Sequence, residues 1–196
     1  MMKEGSPQIK DKIMRRSANR KKPGNSVMTK IVVTIWFITV IPFIMMFVIY
    51  SENPFSPSLN YLAEVTRGLP VLHSANNPLL SSVMSAWCKT APFWGGIAFI
   101  FSYKYTEVNG AHTTGHMLKG LALFSALYLP ITYMLLIHSA EMTESGKLYR
   151  FMSQNDYLLV TLFVTIYSVC YTYTAYYLVI IAATIKTFFW RRNTSL

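Results

Sequence analysis

Four apolar stretches, each long enough to cross a bilayer, constrain this chain more than any other feature. Crossing the hydrocarbon core takes about 20 residues. The first stretch runs from Ile31 to Tyr50 and contains Pro42, which a membrane helix tolerates as a kink. The second covers roughly Val83 to Tyr103, the third roughly Leu121 to Ala140, and the fourth Tyr157 to about Ile185. The fourth exceeds what a bilayer needs, so it should tilt or project past one face. The expected fold is an all-α integral membrane protein, a bundle of four transmembrane helices. Its expected parts are a basic arm over residues 1–29, a membrane domain over 30–187 and a short tail over 188–196.

Composition agrees with lipid exposure. Hydrophobic residues make up 53% of the chain and charged residues only 13%, against about 25% charged in soluble domains. The charges are also uneven. Lys3, Lys10, Lys12, Arg15, Arg16, Arg20, Lys21, Lys22 and Lys30 oppose only Glu4 and Asp11 in the first thirty positions. A nucleic-acid-binding arm would need a folded soluble partner domain, and none follows. A cleaved secretory signal would need a shorter apolar run and a small-residue cleavage site. The positive-inside rule explains the arm better. With four spans both ends share one side, which then holds the arm, Lys104, Lys119, Lys186, Arg191 and Arg192. The opposite side holds Arg67, Lys147 and Arg150, so both termini are expected in the cytoplasm. On the outer side, Asn60 to Arg67 could form a short surface helix.

The polar residues narrow the function classes. All eight acidic residues lie in the arm or the loops. Proton-coupled transport commonly uses carboxylates inside the membrane, so transport is disfavoured. Lys89 is the one charge inside an expected span. Either its long stem snorkels to the outer interface, or it meets an incoming partner or Asp156, with Trp87, Thr90 and Pro92 shaping the site. His112 and His116 stand four apart, but Gly110 and Gly115 break a helix there and nothing completes a metal set. Cys88 and Cys170 fall at different expected depths, about 8 Å and about 20 Å from one face, so a disulfide is not expected. No phosphate loop, paired carboxylates or Ser/His/Asp arrangement is present. No enzyme activity, metal or cofactor is expected.

Small residues mark packing seams. Ala91, Gly95, Ala98 and Ser102 recur at helical spacing in the second stretch. Thr161, Thr165, Ser168, Thr172 and Ala175 do so in the fourth, and Ala122 and Ala126 precede Pro130 in the third. Such residues let helix backbones approach closely in lipid. They serve either internal packing or a lateral surface for another protein's helices.

Two stretches carry a resemblance. Asn77-Pro78-Leu79-Leu80, Val83-Met84 and Cys88-Lys89-Thr90-Ala91-Pro92-Phe93 form the first. Gly146 to Asp156, GKLYRFMSQND, leading to Tyr167-Ser168, forms the second. They resemble the immunity proteins of the colicin A-type pore formers. The resemblance implies a multi-pass protein of the bacterial inner membrane that binds the pore-forming domain of its colicin and prevents channel opening. The expected partner-binding residues, from these stretches and from the stripe on the fourth helix, are Trp87, Lys89, Thr90, Pro92, Arg150, Asn155, Asp156, Thr161, Thr165, Ser168 and Thr172. The expected partners are that domain and the lipid bilayer, with a homodimer left open and no nucleic acid. The alternative is a structural subunit of an envelope assembly such as a secretion or conjugation system.

Overall fold

The structure is a computed structural model that describes residues 23–105 and 114–194. The greater part of the basic arm therefore lies outside the described residues, as do Gly110, His112 and the middle of the expected loop 104–120. From Thr114 on that loop is helical, and Gly115 does not break the helix as expected.

Helix α1 spans Pro23–Glu52 and keeps Pro42 inside it. A short helix α2, Pro57–Val65, opens with a proline where its missing N–H costs no hydrogen bond. It overlaps the surface helix expected at Asn60–Arg67 and begins earlier. The second apolar stretch is two helices, α3 (Pro78–Cys88) and α4 (Ala91–Ser102), not the single helix expected. The cause is Pro92, which has no N–H to give the Cys88 carbonyl and whose ring crowds that carbonyl. A 3₁₀ turn, Tyr103–Tyr105, follows.

Helix α5, Thr114–Thr132, contains Pro130 and widens into a π-turn at Tyr133–Ile137. The turn follows the carbonyl that Pro130 leaves without its intrahelical donor. Short helix α6 is Lys147–Ser153, and α7 is Asp156–Thr194, which carries the helix beyond the expected end near Ile185. Among the described residues three helical segments are long and apolar enough to cross a membrane: Ser26–Glu52, Met117–Ile137 and Asp156–Phe188.

The fold is not purely helical. Strand β1, Leu72–His73, pairs in parallel with β2, Ala140–Glu141, in the register Leu72 to Ala140 and His73 to Glu141. Two serines on one face of α3 hold this ladder. Ser85 Oγ accepts the Leu72 N–H at 2.9 Å, and Ser81 Oγ accepts the Ser74 N–H at 3.0 Å.

Helix α7 is the hub. It packs most extensively on α4, also on α5, α3, α1 and α6, and α1 closes the core against α4. Phe43, Leu80, Met84, Leu159, Phe163 and Tyr167 are fully buried there. Phe43 meets Tyr167 edge to face, with ring centroids 5.4 Å apart. The seam Ala91, Gly95, Ala98 and Ser102 is buried, and its central glycine lies against the α7 backbone at Tyr171 and Ala175. That seam therefore serves internal packing. The Tyr171 hydroxyl donates to the Val32 carbonyl at 2.7 Å and ties α7 to α1. Helix α5 leans on α7 through Tyr128 and Thr174, whose hydroxyls are 2.8 Å apart, and through Ser125 and Tyr177 at 3.0 Å. Its Ala122 and Ala126 point outward.

Candidate partner-binding surface

The two stretches that carry the resemblance meet at one end of the bundle. Asn77 precedes α3 and Asp156 opens α7. The Asn77 amide donates to the Asp156 carboxylate at 2.5 Å, and its carbonyl oxygen accepts the Tyr50 hydroxyl from α1 at 3.1 Å. One asparagine thus joins three helix ends. Asn76 adds a bond from its amide to the Ser153 carbonyl at 3.3 Å. Asn155 caps α7: its side-chain oxygen accepts the N–H groups of Tyr157 at 2.9 Å and Leu158 at 3.3 Å. The Asp156 carboxylate in the first turn complements the positive end of the helix dipole.

Asn76, Asn77, Gln154, Asn155, Asp156 and Tyr157 line a cleft of about 530 Å³. A second cavity of about 690 Å³ adjoins it at Asn76 and extends between Tyr50, α2 and Pro78. A third, about 410 Å³ and mostly apolar, lies between the π-turn, the β-ladder and α6, lined by Leu72, Met134, Leu135, Met142 and Tyr149 among others.

The other expected site residues separate. The Lys89 ammonium donates to the Leu136 carbonyl in the π-turn and makes no pair with Asp156. Trp87 donates its indole N–H to the Thr39 carbonyl at 3.2 Å, and Thr90 donates to the Trp87 carbonyl at 2.8 Å. With Pro92, these residues form the joint between α3 and α4. The α7 stripe splits along its length. Thr161 and Thr165 are exposed and donate back to the carbonyls of Tyr157 and Thr161 at 2.8 and 2.7 Å. Ser168 is half-buried and accepts the Trp36 indole N–H at 2.9 Å, Thr172 is half-buried, and Ala175 is buried. Arg150 is exposed on α6.

Sequence reasoning missed Asn76, Gln154 and Tyr50. Asn-Asn-Pro ahead of one helix and Asn-Asp ahead of another are capping signatures, but nothing in them says that the two caps touch. It also missed Glu141, whose carboxylate accepts the Ala75 N–H at 2.9 Å and the Thr143 hydroxyl at 2.7 Å. Burial alone would raise the Glu141 pKa. The bonds from Thr143 and Ala75, with His73 nearby, outweigh it and hold the carboxyl below its ordinary value. A depressed carboxylate contributes stability that is present above the unfolded pKa and is lost as pH falls through the folded one. The 72–75 and 140–143 segments should therefore become more open to protease as pH drops below the ordinary carboxylate range. Glu141→Gln should flatten that dependence, which proteolysis of the detergent-solubilised protein at stepped pH would read. An unchanged pH profile in the variant would remove Glu141 as its source.

Among the described residues no group of three His, Cys, Asp or Glu side chains gathers to hold a metal. Cys88 and Cys170 are both buried and free.

Residues 55–193 match the family described as colicin immunity protein. The chain is 31% identical over 134 residues to the colicin-A immunity protein of Citrobacter freundii, covering 68% of this chain and 75% of that one. It is 27% identical over 167 residues to the colicin-B immunity protein of Escherichia coli, covering 85% and 95%. Over 79 residues it is 37% identical to the colicin-N immunity protein of Escherichia coli, covering 40% and 60%. The alternative of a structural envelope subunit finds no support among these relatives. No solved structure matches the chain. An apolar helical chain, matched to the family over residues 55–193, belongs to the colicin immunity protein family.

Proposed function

We propose that this chain is a multi-pass protein of the bacterial inner membrane that protects its cell by binding the pore-forming domain of a colicin and keeping the channel closed. Membership of the immunity family is the observation that carries this reading. In it, α1, α3 with α4, α5 and α7 make four crossings and both termini are cytoplasmic. The pair α3–α4 runs from Pro78 to Ser102, about 37 Å at helical rise, which is enough for the hydrocarbon core. A break inside a span is tolerated where the freed backbone groups find partners, and Lys89, Trp87 and Thr90 cluster at this one. The pairing of β1 with β2 puts both of the expected outer loops at one end, in keeping with an even number of crossings.

Binding uses the surface that faces the bilayer and its outer boundary. Phe37, Ile41, Ile44 and Met45 of α1 are exposed, as are Leu123, Leu127, Leu129 and Met134 on the α5 side. An apolar toxin helix meeting these loses less freedom than it would in solution, because both partners are already confined to one plane. Closing a channel is a population shift, and about 5.5 kcal/mol of differential binding moves a two-state equilibrium from 1:99 to 99:1.

The test is a challenge. A sensitive strain expressing the chain should survive at least one of a panel of pore-forming colicins that kills the parent, with survival higher by orders of magnitude. Killing by every member, with the protein inserted at normal level, would overturn the proposal.

A further inference from the structure

The amide cleft at the Asn77–Asp156 end has a chemical bias. Asn76 and Asn77 both turn their NH₂ groups onto acceptors of the protein itself, the Ser153 carbonyl and the Asp156 carboxylate. Their donors are thereby used inward. Asp156 is half-buried at the edge of the cleft, and only its Oδ1 is engaged, by a neutral amide. None of the described Lys, Arg or His side chains lies within ion-pair distance of it. The Asn155 oxygen is occupied by the helix cap, which also satisfies two of the N–H groups that would otherwise attract an anion. What sets the cleft apart for a visitor is therefore its one negative charge without a cation: the second carboxylate oxygen of Asp156, with the Asn76 side-chain carbonyl and the amides of Gln154 and Asn155 around it. A cationic donor fits such a set, and a guanidinium or ammonium forms its strongest hydrogen bonds with a carboxylate. The adjoining 690 Å³ cavity, shared at Asn76, leaves room for the chain that carries the visitor.

We propose that this cleft takes a basic side chain, arginine or lysine, presented by the pore-forming domain of the toxin. The inference rests on the immunity reading above and on this end facing the periplasm. It assigns to the Asp156 carboxylate a contact with the partner as well as its place at the helix end.

The experiment uses the full chain in a sensitive strain and a panel containing colicins A, B and N. The colicin against which the wild type protects is then titrated against Asp156→Asn, Asp156→Glu and Glu144→Gln at matched membrane levels. Asp156→Asn should lower the protective titre by about tenfold or more, the scale of one close charge pair. Asp156→Glu should recover part of it, and Glu144→Gln, an exposed loop carboxylate away from the cleft, should match wild type. Next, each lysine and arginine of that colicin's pore-forming domain is replaced by glutamine. One such toxin should evade the wild type to the same degree that it evades Asp156→Asn, because the pair is already broken there. Equal protection by Asp156→Asn and wild type would overturn the inference and leave the immunity reading intact. So would toxin variants whose effects all add in full to that of Asp156→Asn. Wild-type protection against no colicin would overturn both.

Discussion

Gly95→Ala should loosen the bundle, while Gly96→Ala, one residue on, should be tolerated. A Cβ at Gly95 would stand 2.8 Å from the Tyr171 carbonyl oxygen, 2.9 Å from the Thr174 Cβ and 3.3 Å from the Ala175 nitrogen. Two of these three atoms belong to the α7 backbone, so α4 must move off α7 along the most extensive contact in the fold. Overpacking of this kind costs about 1–3 kcal/mol. At Gly96 the nearest atom is the Leu178 Cδ1 at 4.0 Å, the mobile tip of a side chain. There alanine meets ordinary contact and gains about 1 kcal/mol of helix propensity. Thermal unfolding in detergent should shift in opposite directions for the two variants. Protection should fall with Gly95→Ala and fall further with Gly95→Leu. Equal stability of the two alanine variants would show that close approach of α4 and α7 does not hold the bundle together.

Lys89→Met should detach the end of α5 without preventing insertion. The ammonium donates to the Leu136 carbonyl, across the joint between α3 and α4 and onto the π-turn that closes α5. Methionine keeps an unbranched stem and removes the donor. A hydrogen bond to a charged group contributes about 1.5–3 kcal/mol, so the unfolding midpoint should fall by roughly 3–12 °C at about 2–4 °C per kcal/mol for a chain of this size. Protection should weaken as well, because the extensive packing of α5 on another long helix is with α7. Lys89→Arg should retain most of both. If Lys89→Met unfolds at the wild-type temperature, the ammonium is only an anchor at the interface.

The joint shows why so much was readable and why some was not. Hydropathy marks each long apolar segment, because exclusion from water acts on composition and length alone. Hydropathy keeps Pro92 inside a single span, but the Cys88 carbonyl that it leaves without a donor marks the end of one helix and the start of another. The α4 seam was visible as small residues at helical spacing, yet small residues serve internal packing and external docking equally well. Only the position of Gly95 against Tyr171 decides for packing. The outward-facing Ala122 and Ala126 on α5 follow the same spacing with no such contact.

The end of the bundle makes the same point. Asn77 and Asp156 are each recognisable beside a helix start, since capping is a local matter of unsatisfied N–H groups. They stand 79 positions apart in the chain and touch through one hydrogen bond.

By itself the sequence determined the apolar segments, the uneven distribution of charge between their ends and the stretches that resemble the family, because each depends on composition or short-range spacing. Only the tertiary structure decided that Lys89 bonds a backbone carbonyl and not Asp156, that the two marked stretches meet, and that their meeting leaves a cleft with a carboxylate oxygen of Asp156 unpaired. Those outcomes depend on how far α3, α5 and α7 slide past one another. That stagger is set by the sum of many side-chain contacts across helices, which no single stretch of chain contains.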